Sequence, residues 1–261
     1  MGKTRSYLRD PVQTCMKNIY KYNLDLFKDD SEEKYYIIGF IAADGWISDK
    51  SSRIEITLAE KDRDFLEQMK NLICPDKKLS YKQTTKAYRL TLDHRTIHDD
   101  ILHYINTTDK SYNLVFPHNI PKKYLTHYMR GYSDGDGTIG VVRGQKKVQG
   151  QIKYYYGLRY RVLGTKPFLL GWEHVSKEYY AMPSRNVHKK GQENVFYIEY
   201  GFASAERFLE LLYKDANLYL KRKHDVYKYI LSTDSEQLQK NFLNETSRYN
   251  TQGIPQQESK I

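Results

Sequence analysis

The chain has 261 residues, and Lys plus Arg exceed Asp plus Glu by 42 to 32, a net charge of +10 that favours a polyanionic partner. Its length suffices for two halves of about 120 residues, each able to bury a core, and 39% hydrophobic residues argue against disorder. Two cysteines, Cys15 and Cys74, no Cys/His cluster and no apolar run near 18 residues argue against a disulfide scaffold, a structural zinc site and a membrane span. The start, MGKTRSYLRD, has no apolar signal core, so the expected setting is intracellular and reducing.

In chain order, Asp30-Ser31-Glu32-Glu33 predicts a helix start with acids in its first turn, leading into a helix over 35–43 that stops at Gly45. RIEITL at 53–58 alternates, with Ile54, Ile56 and Leu58 on one face, and predicts a half-buried strand. A helix carrying Phe65, Leu66, Met69 and Leu72 ends near Pro75. LSYKQ at 79–83 and YRLTL at 88–92 alternate again, and a helix near 96–106 closes the unit. Residues 107–123, with Pro117 and Pro121, read as a connection. The second half repeats the order: a hairpin around Gly144 leads into KYYYGLRYRV at 153–162, which places Tyr154, Tyr156, Leu158, Tyr160 and Val162 toward a core. A helix near 167–178, strands near 184–190 and 194–200, and closing helices over 205–223 follow. The expected partition is a lead-in at 1–30, a first half at 31–110, a linker at 111–123, a second half at 124–231 and a polar, loosely held tail at 232–261.

One nine-residue pattern occurs twice, 92 positions apart: IIGFIAADG at 37–45 and MRGYSDGDG at 129–137. Gly39 and Ala43, and likewise Gly131 and Gly135, stand four apart on one helix face, so two backbones can approach closely there. Each copy ends in an acid and a glycine, Asp44-Gly45 and Asp136-Gly137, the glycine being free to take a left-handed cap. A carboxylate at the carbonyl end of a helix is disfavoured by a few tenths to ~1 kcal/mol unless a cation answers it, and a divalent metal is the expected answer. His94 and His98, four apart, read as members of a surface helix, and Trp46 as a sheet or interface residue.

These residues resemble the LAGLIDADG family of homing endonucleases in its two-motif, single-chain form, over roughly residues 20 to 230. The resemblance implies an α+β fold of two pseudo-symmetric αββαββα halves, each with a four-stranded antiparallel DNA-binding sheet, packed through the two motif helices. It makes Asp44 and Asp136 the catalytic, metal-binding acids, with the backbone carbonyls of Ala43 and Gly135 as further ligands, Mg²⁺ as the metal and Mn²⁺ as a substitute. Asp134, at a variable motif position, is set aside. The implied function is a site-specific double-strand break in a long, pseudo-palindromic duplex. The alternatives are an intron RNA maturase and a non-cleaving DNA-binding regulator. A monomer with no membrane and no obligate protein partner is expected. DNA contacts are assigned to Arg53, Glu55, Lys82, Arg89 and Arg95 in the first half and to Lys153, Tyr155, Arg159, Arg161 and Lys189 in the second. The family also places a basic residue near the end of each half's last strand. Arg95 stands at roughly that place, but Gly201-Phe202-Ala203 offers none, which implies either that one strand is cut more slowly or that another cation such as Lys189 or Lys190 serves.

Overall fold

The computed structural model describes residues 20–191 and 194–244, so Cys15, most of the lead-in and the end of the tail lie outside the described residues. After a short helix α1 (Asp25–Lys28) comes α2 (Glu32–Asp44), which begins as its sequence predicts. The Ser31 side chain accepts from the Lys34 N–H at 3.1 Å, and Glu32 and Glu33 sit in the positive first turn. Every residue of α2 from Lys34 to Ala42 is buried, as befits a helix enclosed on all sides rather than laid on a surface.

The first half continues with β1 (Gly45–Ile47), β2 (Arg53–Ala59), α3 (Arg63–Ile73), β3 (Ser80–Lys82), β4 (Ala87–Asp93) and α4 (Arg95–Ile105). A connecting helix α5 (Lys110–Asn113) leads to the second half: α6 (Leu125–Asp136), β5 (Gly137–Val148), β6 (Gln151–Gly164), α7 (Lys166–Tyr180), β7 (His188–Lys189), β8 (Phe196–Gly201) and α8 (Ala203–Tyr213). Both halves are therefore αββαββα. Their antiparallel sheets have equivalent orders, β1-β2-β4-β3 and β5-β6-β8-β7. Among the described residues no helix is long and apolar enough to cross a membrane.

Strand alternation sets which face of each sheet is covered. Ile54, Ile56, Leu58, Leu90 and Leu92 bury against helices in the first half, and Leu158, Tyr160, Val162, Ile198 and Tyr200 do so in the second. Each of the aliphatic side chains among them contributes roughly 1.5–3 kcal/mol when fully buried. The opposite face of each sheet is left uncovered.

Four expectations are corrected. Gly45 and Gly137 are extended (φ −74° and −82°), not left-handed. The chain passes straight from helix into strand, and a Cβ on Gly45 would crowd Ile41, 2.7 Å from its Cγ2, while one on Gly137 would strike the Ser133 carbonyl. The second-half hairpin turns at Gln149-Gly150, both with positive φ as a two-residue hairpin turn requires, not at Gly144. Gly144 lies inside β5, where the Tyr155 ring fills the space a Cβ would need, 2.5 Å from Cζ. Tyr154 is half exposed beyond the core and carries the Arg143 guanidinium 4.8 Å above its ring. The supposed tail contains α10 (Ser235–Asn244), preceded by α9 (Lys221–Ser232), and α10 buries Leu238 against the core.

Candidate active site

The two motif helices cross with almost no side-chain spacer. A Cβ on Gly39 would overlap the carbonyl oxygen of Tyr128, and one on Gly131 would overlap that of Tyr36. At the far end of the crossing Gly135 lies against the Ala43 methyl, and a Cβ there would stand 3.4 Å from both the Asp44 carboxylate carbon and its amide nitrogen. The close approach the glycines permit therefore ends at the two acids. Asp44 leaves α2 beside the last turn of α6, and Asp136 ends that turn. Asp44 is open to solvent, whereas Asp136 is half-buried.

Electrostatics reflect this convergence. Burial raises the Asp136 carboxyl to about 6, and the neighbouring Asp44 charge pushes the same way, against Lys110, Lys223 and the Tyr132 hydroxyl. Although open at residue level, Asp44 is flanked by enough protein that desolvation raises its pKa too, opposed by Lys223, Lys110 and Arg222. Two desolvated carboxyls, one of them further raised by the charge of the other, suit a site that receives cationic charge.

Two lysines that sequence reasoning did not single out complete the arrangement. Lys110 Nζ donates to the carbonyl oxygens of Ile41, Ala42 and Ala43 at 2.6, 3.1 and 3.0 Å. Lys223 Nζ donates to those of Ser133, Gly135 and Gly137 at 3.0, 2.7 and 2.7 Å. Each ammonium thus caps the negative end of one motif helix beside its acid. Burial lowers both to about 8, partly offset by the nearby aspartates. The carbonyls of Ala43 and Gly135, expected as metal ligands, each accept from one of these lysines. Arg95 is not the cation at this centre: it is largely exposed on α4 and paired with Asp99 at 2.6 Å. At 201–203, where a cation was missing, the Phe202 ring packs on Gly157 and on Tyr155, 4.8 Å between ring centroids. The ammonium that lies beside the acids on the second-half side is that of Lys223 on α9.

Asp134 is a buried hub. It accepts from the hydroxyls of Tyr36 and Tyr213, each at 2.7 Å, and from the Leu220 N–H at 2.8 Å, fixing the entry of α9 and hence Lys223. A cleft of about 490 Å³ opens beside Asp136, with Lys110, Trp46, Tyr132 and Thr165 in its walls. His98 is part-buried on α4, a helix that otherwise buries only Ile97, Ile101 and Ile105. Its ring bonds the Ser48 carbonyl at 3.2 Å and tethers α4 to the loop after β1.

Strand register puts Arg53, Glu55, Lys82 and Arg89 on the uncovered face of the first sheet, together with Trp46. Lys153, Tyr155, Arg159 and Arg161 share the uncovered face of the second. Lys189 is a further correction: it pairs with Phe196 and so points to the helix-covered side, leaving His188, stacked on Tyr197, on the open face. Several of these residues are paired with acids already. Arg53 bonds Asp93 at 2.6 Å, Arg89 bonds Glu55 at 3.1 Å, and Arg161 bonds Glu199 at 2.5 Å while lying over the Tyr197 ring.

Residues 31–74 match the LAGLIDADG-like domain family, a segment that spans the first motif through α3. No curated protein matches the chain in sequence. Among solved structures, the fold is similar to that of the I-LtrWI LAGLIDADG homing endonuclease bound to target DNA, at 11% identity and TM-score 0.52, covering 89% of this chain and 100% of that one. It is similar to the I-SmaMI LAGLIDADG homing endonuclease bound to cleaved DNA (11%, TM-score 0.52, 82% and 92%) and to the LAGLIDADG meganuclease I-AabMI bound to uncleaved DNA (13%, TM-score 0.50, 81% and 92%). Residues 31–74 thus match a LAGLIDADG-like domain, and over both its halves the chain shares the fold of these LAGLIDADG homing endonuclease structures.

Proposed function

We propose that the chain is a site-specific endodeoxyribonuclease that cuts both strands of a long duplex target as a monomer. The observation that carries this reading is the meeting of Asp44 and Asp136 at a helix crossing, each beside a lysine ammonium and between two sheets with open, cation-bearing faces. Those faces would lie along the duplex and bring its backbone to the acids.

The donor set fits Mg²⁺. Two carboxylates are hard oxygen ligands, and among the described residues no third His, Cys, Asp or Glu joins them, as suits an ion that keeps waters and takes phosphate oxygens. Asp44 and Asp136 would hold it, and when bound it would supply an activated water and charge stabilisation at the departing oxygen. The protein's own part is positional and electrostatic. Gly39, Gly131 and Gly135 let the acids approach, while Lys110 and Lys223 lie beside them in place to stabilise negative charge developing at a phosphate. One lysine stands by each motif helix, so each strand has its own cation.

In vitro selection of cleaved sequences from a randomised duplex pool tests the reading. With Mg²⁺ the protein should enrich one extended site cut on both strands, and with EDTA it should enrich none. Sequence-specific retention without cutting would instead make the chain a DNA-binding regulator.

A further inference from the structure

The two halves share a topology but are unequal in reach and in charge. β8 pairs with β6 only over Arg159–Gly164, whereas β5 and β6 remain paired out to Val148 and Gln151. Residues 151–158 of β6 therefore run past the four-stranded sheet as a two-stranded ribbon, roughly 26 Å long at ~3.3 Å per residue. In the first half β1 has three paired residues, and β2 has a β4 partner along its whole length.

Charge follows the same division. Between Gly137 and Gly164 stand Arg143, Lys146, Lys147, Lys153, Arg159 and Arg161 with no acid at all. In the equivalent first-half segment, 45–59, Lys50 and Arg53 are matched by Asp49 and Glu55. The register faces Lys146 across from Lys153, on the side that also carries Tyr155, Arg159 and Arg161. Two like charges directly opposite destabilise a free ribbon. Opposite a row of phosphates the same pair becomes an asset.

The ribbon is also held in place. Where β6 has outrun β8, the Tyr156 N–H donates to the Ser235 Oγ of α10 at 2.9 Å, and the Tyr156 ring packs on Phe242 at 5.4 Å. The Leu158 carbonyl accepts from the Phe202 N–H at 2.7 Å. Helix α10 thus splints the base of an element that would otherwise present a bare strand edge.

From this we infer that duplex DNA is gripped lopsidedly. The second half supplies most of the phosphate neutralisation, and the β5–β6 ribbon follows the major groove past the end of its sheet, lengthening the target on that side of the cut by roughly eight base pairs at ~3.4 Å per step. The inference rests on the DNA-binding part of the reading above.

Hydroxyl-radical footprinting of the Asp136→Asn protein on the selected target tests it, with the wild-type cut as origin. The protected tract should reach further on one side. The triple substitution Lys146→Ala, Lys147→Ala, Lys153→Ala should retract that boundary alone and flatten the log-log salt dependence of binding by ~0.9 for each phosphate no longer neutralised. Arg53→Ala with Arg89→Ala should change the slope less. Protection of equal length on both sides, or a triple variant with unchanged boundary and slope, overturns the lopsided grip and leaves the nuclease reading intact. Absence of any protection overturns both.

Discussion

Lys223 Nζ donates to the carbonyl oxygen of Gly135 at 2.7 Å, one residue before the acid that ends the same helix. Lys110 stands in the same relation to Ala43 at 3.0 Å. Lys223→Met should therefore slow cleavage of one strand, and Lys110→Met that of the other. The loss of a preorganised cation or donor corresponds to ~10²–10³ in rate. Accumulation of nicked circles from a supercoiled plasmid carrying the target would display this. Equal slowing of both strands by each variant would show that the lysines do not serve separate centres.

Gly39→Ala should destabilise the protein by about 1–3 kcal/mol, because the added methyl meets the backbone of Tyr128, which has no rotamer in which to retreat. Cleavage should fall further than stability predicts, since the same displacement parts the acids. Urea denaturation together with single-turnover cleavage separates the two effects.

Arg130 joins the halves from a buried position. Its guanidinium donates to Glu32 at 2.5 Å and to the carbonyls of Leu218 and Leu212, each at 3.0 Å. Arg130→Met deprives the Glu32 carboxylate and two carbonyls of their donor and should cost about 3–5 kcal/mol in unfolding free energy. Arg130→Lys should recover little of this, since one ammonium cannot span the three acceptors as the planar fork does.

Trp46 and Trp172 are the two tryptophans of the chain. Trp172 is fully buried, while Trp46 is 53% exposed on the open face of the first sheet beside the cleft. Binding of target duplex should alter the intrinsic fluorescence through Trp46 alone. Trp46→Phe should abolish the change and leave a DNA-insensitive signal from Trp172, and a persistent change in that variant would contradict the placement.

The parts of this molecule that were legible in its sequence are those written in local spacing. Gly39, Ala43 and Asp44 lie within two turns of one helix, and the alternation of Ile54, Ile56 and Leu58 is read within a few residues. Lys110 and Lys223 were not legible because they meet the acids only through the fold. They follow Asp44 and Asp136 at unequal distances, since the long ribbon lies between Asp136 and Lys223. Lys223 is further hidden in a run of three cations. Gly144 misled because a glycine demanded by a neighbouring ring looks the same in sequence as one demanded by a turn. The Gln/Asn-rich composition around α10 likewise concealed Leu238, which it buries.

The account depends above all on Asp44 and Asp136 acting as one centre. Single-turnover cleavage of the selected duplex in Mg²⁺ by Asp44→Asn and by Asp136→Asn, each at a concentration that saturates binding, is its most direct measure. Both variants should bind the target yet fail to break both strands. Double-strand cleavage at the wild-type rate by either one would contradict it.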